Sequence, residues 1–302
     1  MMATVEVIIA TTASAERGQS LFEAIDSVLQ QTGVQATPRI VVNGSRYDKE
    51  VFETLQARSD IKLHYEEEGN LPKAIALGRM LVESEFFGFL DDDDILLENA
   101  LVLKLREFSQ NPATDVVVGN GYFDTFGTGV LMRSSFDDCR SDPLAALMES
   151  NWLASCGGLF KTATIYPSYF LDLPKYFEWT WVAFNLALNG KQIQFIDTPT
   201  FHVRDSEDSL SKGDENIDAF IAVVEQMSAL ACGHPIQKQL KKRLGAAYHM
   251  GSQKALKDGL INDAWNYHFL SINTLGNLGY LTFTRHLLWR SRAPHDQISG
   301  KS

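Results

Sequence analysis

The first ninety residues alternate short apolar runs with helical periodicity three times, and this alternation constrains the fold more than any other feature of the chain. Residues 5–10 (VEVIIA) form a largely β-branched run without polar alternation, the pattern of a strand buried on both faces. A polar loop over residues 11–20 follows, then Leu21, Ile25, Val28 and Leu29 at helical spacing. Residues 39–42 (RIVV) repeat the strand pattern, end on Asn43, Gly44 and Ser45, and lead into a helical stretch at 48–58. A strand at 61–65, a helix at 71–84 and a strand at 86–90 complete the series. Strands interleaved with helices in this way require right-handed crossovers, hence a mostly parallel sheet with helices on both faces. Ligands of such sheets sit beyond the carboxyl ends of the strands, so the loops after Ala10, Val42 and Leu90 are expected to share one crevice.

Beyond residue 110 the pattern is less regular. Residues 116–118 and 129–132 look like strands joined by Gly-rich turns, and 142–150 look helical; 157–161, 175–188 and 192–196 follow as strand, helix and strand. From about Ile217 the periodicity is helical throughout, enough for three or four helices. The expected organisation is an α/β body at residues 1–215, with halves at 1–110 and 111–215, and a helical region at 216–302. Charge divides in the same place: residues 216–302 hold ten Lys and Arg against five Asp and Glu, whereas the residues before them hold 17 against 33. A formal net charge of -11 argues against a protein that grips nucleic acid along its surface, and no nucleic-acid partner is expected. Cys139, Cys156 and Cys232 lack metal-ligand spacing and suit free thiols in a reducing compartment. No run of about 18 apolar residues occurs and the start lacks a signal-peptide pattern, so a cytoplasmic protein is expected.

Residues 86–96 read FFGFLDDDDIL. Four consecutive carboxylates at the mouth of a buried strand repel one another, and a divalent cation relieves that repulsion. Hard oxygen donors suit Mg²⁺ or Mn²⁺, which keep waters and bridge to phosphate. In an extended segment Asp91 and Asp93 would share one side, and Asp92 and Asp94 the other. The other reading is a helix start, with Asp94 capping a helix that begins near Glu98 and its neighbours favouring the positive helix end.

These residues resemble the glycosyltransferase family 2 proteins, which have the GT-A fold, a Rossmann-like sheet that binds nucleotide sugars. Four matches in order carry the resemblance: residues 7–12 (VIIATT) followed by 24–32 (AIDSVLQQT); 40–45 (IVVNGS) with Asp48; 70–78 (NLPKAIALG); and 89–94 (FLDDDD), which matches the family's Asp-x-Asp signature. The resemblance implies a GT-A sheet, mixed but mostly parallel and flanked by helices, with a UDP-, GDP- or dTDP-linked sugar as donor. It implies Thr11 and Thr12 against the base, Asn43 and Ser45 in the base and ribose pocket, and Lys73 near the diphosphate. Asp91 is then expected near the ribose and the metal, Asp92 in contact with the nucleotide, and Asp93 on the metal. Two departures stand out. The family's paired acids after the second strand fall on Val42 and Asn43, and its Arg-Asn pair in the third match falls on Ile75 and Ala76, leaving Lys73 and Arg79 as the nearby bases.

An inverting transfer needs a general base that takes the proton of the acceptor hydroxyl as it attacks the anomeric carbon. In the family a Glu-Asp pair opening a helix supplies it. Residues 176–181 (YFEWTW) put Glu178 in the Glu place and Trp179 in the Asp place, so Glu178 is the acid available as base. An acid favoured by the helix dipole is the other reading. Trp152, Trp179 and Trp181 either stack on a sugar face or pack the core. Residues 199–211 (PTFHVRDSEDSLS) resemble the family's Tyr/His-x-Arg segment and Ser-rich loop, which implies His202 as a metal or diphosphate contact and Arg204 as a phosphate clamp. For His202 a structural role is the alternative.

The helical region has no catalytic pattern and lacks the Gln-x-x-Arg-Trp motif of processive synthases. Bases around Phe283, Leu287, Leu288 and Trp289 suit peripheral contact with an anionic membrane or a lipid-linked acceptor, solvated helix faces being the alternative. The expectation is a metal-assisted inverting glycosyltransferase that moves one sugar to a hydroxyl of a glycan, lipid-linked saccharide or surface-polysaccharide precursor, in the cytoplasm or at the inner face of the membrane. With Trp at 179, a nucleotide-sugar-binding partner of another transferase is the competing expectation.

Overall fold

The first apolar run forms β1 (Thr4–Thr11), which lies between two parallel neighbours, β2 (Gln35–Asn43) and β4 (Phe86–Phe89). The computed structural model describes residues 2–125, 128–204, 216–274 and 278–291. Strand β3 (Lys62–Glu66) adds to β2 in parallel. The intervening helices are α1 (Gly18–Leu29), α2 (Lys49–Ala57) and α3 (Leu71–Met80). The chain continues through β5 (Ile95–Leu96), α4 (Ala100–Gln110), β6 (Val116–Thr125) and β7 (Thr128–Leu131). Helices α5 (Asp137–Ser141) and α6 (Pro143–Glu149), strand β8 (Gly158–Lys161), helix α7 (Glu178–Leu188) and strand β9 (Ile193–Val203) follow. The strands form one sheet in the order β3-β2-β1-β4-β8-β6-β9-β5, with β7 paired to β6.

The parallel character expected from the sequence is confined to the N-terminal strands and to β6–β9. Strand β8 joins β4 and β6 antiparallel, and β5 and β7 pair antiparallel with β9 and β6. Helix α3 stops at Met80, earlier than its periodicity suggests. The chain leaves it so that the Glu83 N–H can donate to Glu6 and the Ser84 hydroxyl to the Phe86 carbonyl, at the entrance to β4.

Two faces of the sheet are covered differently. Val5, Val7, Ile9, Ile40 and Val42 pack against Leu21, Ile25 and Val28 of α1 and Leu101, Leu105 and Phe108 of α4 in one continuous core. On the other face α3 sits close to the sheet, because Gly78 has no side chain: a Cβ there would lie 2.4 Å from Ile8 Cγ2 and 3.4 Å from Val41 Cγ2. Arg79, the next residue, is 3% exposed; it donates to the carbonyls of Ile165 and Thr162 and lies 4.3 Å from the Phe87 ring centroid. It is therefore a packing residue rather than a base of the crevice, and desolvation lowers its pKa.

The chain divides into two compact units, Met1–Leu210 and Ser211–Ser302. The second contains α8 (Asn216–Leu230), α9 (Gln237–Lys257), α10 (Ile261–Asn273) and α11 (Thr284–Ser291). Ile221, Ala247 and Tyr248 form one cluster there, and Ala255, Ala264 and Leu287 another. Among the described residues no helix is long and apolar enough to cross a membrane. Of the cysteines, Cys139 and Cys156 are buried and Cys232 is exposed.

The close approach at Gly78 gives a direct test. Gly78→Ala should lower the free energy of unfolding by about 1–3 kcal/mol, the usual cost of overpacking, read as a lower midpoint in urea denaturation.

Candidate active site

The carboxyl ends of β1, β2 and β4 are tied together by side chains. The Thr11 hydroxyl, buried at the end of β1, donates to Asp92 Oδ2 at 2.5 Å and accepts from the Ala13 N–H at 2.9 Å. Asn43, buried at the end of β2, donates to the Thr11 carbonyl at 3.0 Å. The Asp48 N–H reaches the Ala13 carbonyl at 2.8 Å, and Asp48 Oδ1 caps α2 by accepting from Glu50 and Val51 N–H. Ala13 has φ +49°, an unusual conformation for a residue with a side chain, held by these bonds. Thr11 and Asn43 thus tie the ends of β1 and β2 to each other and to the acidic turn. Thr12 is half-buried and Ser45 exposed at the same edge.

Residues 91–94 form a turn, closed by the Asp94 N–H on the Asp91 carbonyl at 3.2 Å, and not the extended segment expected. The pairing of the acids changes accordingly. Asp92 and Asp93 both face Arg17: its Nη1 bonds Asp92 Oδ1 and lies 3.2 Å from Asp93 Oδ2. Asp91 and Asp94 face the segment before β8, where the Ser155 hydroxyl donates to Asp91 Oδ2 at 2.6 Å and Cys156 Sγ lies 3.6 Å from Asp94 Oδ2. Asp94 also accepts from the Arg204 N–H at 3.0 Å. The capping role is excluded, since α4 begins after Asn99.

Asp91 is exposed at its surface yet has protein crowded about its carboxyl. That crowding, with Asp93 and Asp92 adding to it, pushes its carboxyl up to about 6 against the pull of Ser155 and Arg17. Burial, followed by the charge of Asp91, pushes Asp94 up to about 8. Burial also raises Asp92, although Arg17 and Thr11 oppose it. Burial alone would lower the Arg17 guanidinium, but Asp92, Asp93 and Asp91 outweigh it and the net shift is upward. Arg17 was not among the residues expected from the sequence, although it is the only base in the loop of residues 11–20.

The donor set bears on a metal. Asp94, raised to about 8, keeps its proton at neutral pH, but the other three carboxylates against one guanidinium still leave an excess of negative charge, and Asp91 and Asp93, near enough for the charge of Asp93 to raise Asp91, offer hard oxygens. They fit a divalent cation held by one or two carboxylates and completed by phosphate and water. His202 does not join them. Its Nε2 is 2.9 Å from Asp124 Oδ1, and among the described residues no three His, Cys, Asp or Glu side chains converge to hold a metal ion.

The remaining expected residues are spread around this turn. Lys73, exposed at the start of α3, is paired with Glu68 at 2.5 Å. The Arg204 guanidinium is paired with Glu23 of α1, so its backbone and not its side chain serves the turn. Residues 205–211 of the Ser-rich segment lie outside the described residues. Glu178 opens α7 and is half-buried; burial raises its pKa, against backbone N–H groups of its own residue and Tyr176 and the charge of Lys175. Tyr176, two residues earlier, has φ +72°. Trp179 meets the Phe89 ring edge-on at 4.9 Å, which docks the start of α7 on the strand that carries the acids. Trp152 is core, 3% exposed with its indole N–H on the Pro143 carbonyl, and Trp181 stacks on Phe184.

The model of the family described as Glycosyl transferase family 2 matches residues 7–166, more than half of the chain and all of the crevice-forming loops just described. The chain belongs to glycosyltransferase family 2. It is a nucleotide-sugar glycosyltransferase of the GT-A fold, with a helical region after the catalytic body. S. aureus TarS 1-349 in complex with UDP-GlcNAc has a similar structure, with a TM-score of 0.64 and 16% identity over 89% of this chain and 81% of that one. TarS 1-349 alone aligns with a TM-score of 0.60 and 14% identity over 89% and 81%. A longer TarS structure aligns with a TM-score of 0.61 and 16% identity over 89% of this chain and 49% of that one. At such identities the likeness bears on the fold. No curated protein matches the chain.

Proposed function

We propose that this glycosyltransferase moves a single sugar, with inversion, from a nucleoside-diphosphate donor to a hydroxyl of a glycan, lipid-linked saccharide or surface-polysaccharide precursor. The observation that carries this reading is the acidic turn at the carboxyl end of β4, where Thr11 and Asn43 bring the ends of β1 and β2 together and one arginine pairs with only two of the four acids. The similar TarS structures hold UDP-GlcNAc and UDP, which makes a UDP-sugar the first donor to test. Mn²⁺ or Mg²⁺ on Asp91 and Asp93 would stabilise the charge that grows on the leaving diphosphate. Asp92, fixed by Thr11 and Arg17, keeps the turn in shape, and Thr12 and Ser45 line the crevice edge where the nucleoside would lie.

Glu178 takes the proton from the acceptor hydroxyl. Its burial makes it a better base than an ordinary glutamate, and a base must be deprotonated to act. Activity should therefore fall as pH drops through a value above the usual glutamate range. Glu178→Gln should reduce kcat by about 10²- to 10⁴-fold with the donor KM unchanged. Unchanged transfer would remove Glu178 as the base.

Donor use is tested by thermal shift with UDP-, GDP- and dTDP-sugars, with and without Mn²⁺. We expect one nucleotide to raise the melting temperature, more so with Mn²⁺. No shift with any of them, at concentrations far above usual donor affinities, would sink the donor-site reading.

The reading includes a place at the inner face of the membrane. Helix α11 buries Leu287 but leaves Leu288 45% and Trp289 74% exposed, beside Arg285, in a region with excess positive charge. Arg292 lies outside the described residues. Flotation should recover the protein with anionic vesicles and less of it after Trp289→Ala. Equal recovery with neutral and anionic vesicles would remove this part of the proposal.

A further inference from the structure

The acidic turn already has a cation, supplied by the chain itself. Arg17 ends a short 3-10 turn, Ala15–Arg17, immediately before α1, and its carbonyl accepts from the Ser20 hydroxyl at 3.0 Å. Its guanidinium is the only Lys or Arg side chain ion-paired to residues 91–94 among the described residues. Lys73 and Arg204, the other bases expected to serve a diphosphate, are engaged with Glu68 and Glu23.

The two arms of the Arg17 contact are unequal. Asp92 is deeply buried, is fixed from its other oxygen by Thr11, and bonds Arg17 closely. Asp93 is more exposed, lies 3.2 Å from the same nitrogen, and has no other side-chain hydrogen bond among the described residues. One third of the Arg17 side chain remains open to solvent, so its guanidinium can reach a ligand in the crevice without leaving Asp92. A planar guanidinium matches phosphate oxygens in the way it matches carboxylate oxygens.

We propose that Arg17 is a displaceable counter-cation: it neutralises Asp93 while the site is empty and turns to the diphosphate when the donor binds, releasing Asp93 to a divalent cation. The inference rests on the donor-site reading given above. It makes Arg17 a positioning residue for the cation and a direct contact of the diphosphate. It also requires that nucleotide and cation bind cooperatively, because each removes the obstacle that Arg17 places before the other.

The test is Mn²⁺ binding to the full chain, followed by electron paramagnetic resonance, for the wild type, Arg17→Gln and Arg17→Lys, with and without UDP. Without nucleotide, Arg17→Gln should bind Mn²⁺ about threefold tighter or better, the effect expected on removing a competing partner from a partly exposed ion pair. Arg17→Lys, which keeps the charge, should stay near the wild type. The promotion of Mn²⁺ binding by UDP should be smaller in Arg17→Gln than in the wild type. A residue that only holds the turn in shape would give equal or weaker Mn²⁺ binding in Arg17→Gln, and that result overturns the proposal. In the wild type, the Arg17 Nε–H resonance, assigned by its loss in Arg17→Lys, should shift on adding UDP with Mg²⁺; a resonance that stays in place also overturns it. A wild type that binds neither UDP nor Mn²⁺ overturns the donor-site reading, and the exchange with it. A wild type that binds both, without tighter binding in Arg17→Gln, overturns the exchange alone.

Discussion

Carboxylates crowded at the end of a buried strand must be neutralised or left at a disadvantage, and the two edges of this sheet resolve the problem in opposite ways. At the amino edge, Glu6 is 2% exposed and ion-paired to both Arg39 and Lys62. Burial would raise its carboxyl, but those partners and the Glu83 N–H outweigh it and the pKa is lowered. At the carboxyl edge, one arginine pairs with only two of four consecutive acids, Asp92 and Asp93, and the carboxyls of Asp91, Asp92 and Asp94 are raised. The first arrangement is complete in itself and belongs to the architecture. The second is incomplete, and incompleteness of charge at the carboxyl edge of an α/β sheet is what a phosphate and its cation can make good.

Much of the chain around the turn serves to keep it in that state. Ser27 of α1 accepts from the Leu96 N–H, and Gln31 donates to the Leu97 carbonyl while accepting from the Leu101 N–H. These two residues hold the exit of the turn, through β5 and the start of α4, against the helix that packs on β1. Thr11 and Arg17 hold its middle, while Ser155 and Cys156 contact its two ends. Behind Cys156 the fully buried Lys104 donates to its carbonyl, and desolvation lowers that ammonium to about 8. A buried lysine with, among the described residues, one carbonyl as its hydrogen-bond partner is costly to keep. Its position beneath Cys156 places positive charge on the far side of the segment that faces Asp91 and Asp94.

The N-terminal elements were legible in the sequence because their signals are local. A β-branched run, a polar loop and a helical stripe follow one another, and the same order recurs after β2 and β3. The resemblance identified Ser27 and Gln31 as part of a match, but only the structure shows that they clamp the residues after the turn. Misreadings arose where a long-range contact overrode a local pattern. Residues 91–94 look extended by continuity with β4, yet Arg17 and Ser155, 76 or fewer residues away along the chain in either direction, draw the acids into a turn. Arg79 is one of the two bases near the third match; it is consumed by the carbonyls of Thr162 and Ile165, partners that no spacing rule relates to it. The antiparallel pairing of β8 was equally hidden, since a four-residue strand carries no sign of its direction.

The raised carboxyls also tie the site to stability. A group whose pKa is higher folded than unfolded contributes stability that is fully present below the unfolded value and lost as pH rises through the folded value. For Asp91 and Asp94 that window runs from the ordinary 3.8 to about 6 and about 8. At neutral pH Asp91 is therefore ionised against its surroundings and Asp94 holds a proton that the unfolded chain would release, and both weaken the fold locally. A ligand that neutralises this charge binds the folded chain and not the unfolded one, and recovers part of what was lost. Affinity for such a ligand and the local cost to the fold thus have a common origin in the density of carboxylates on one turn, and Arg17 sets how much of that density is exposed to the ligand. A sheet edge neutralised as fully as that at Glu6 would be more stable and would have nothing left to bind.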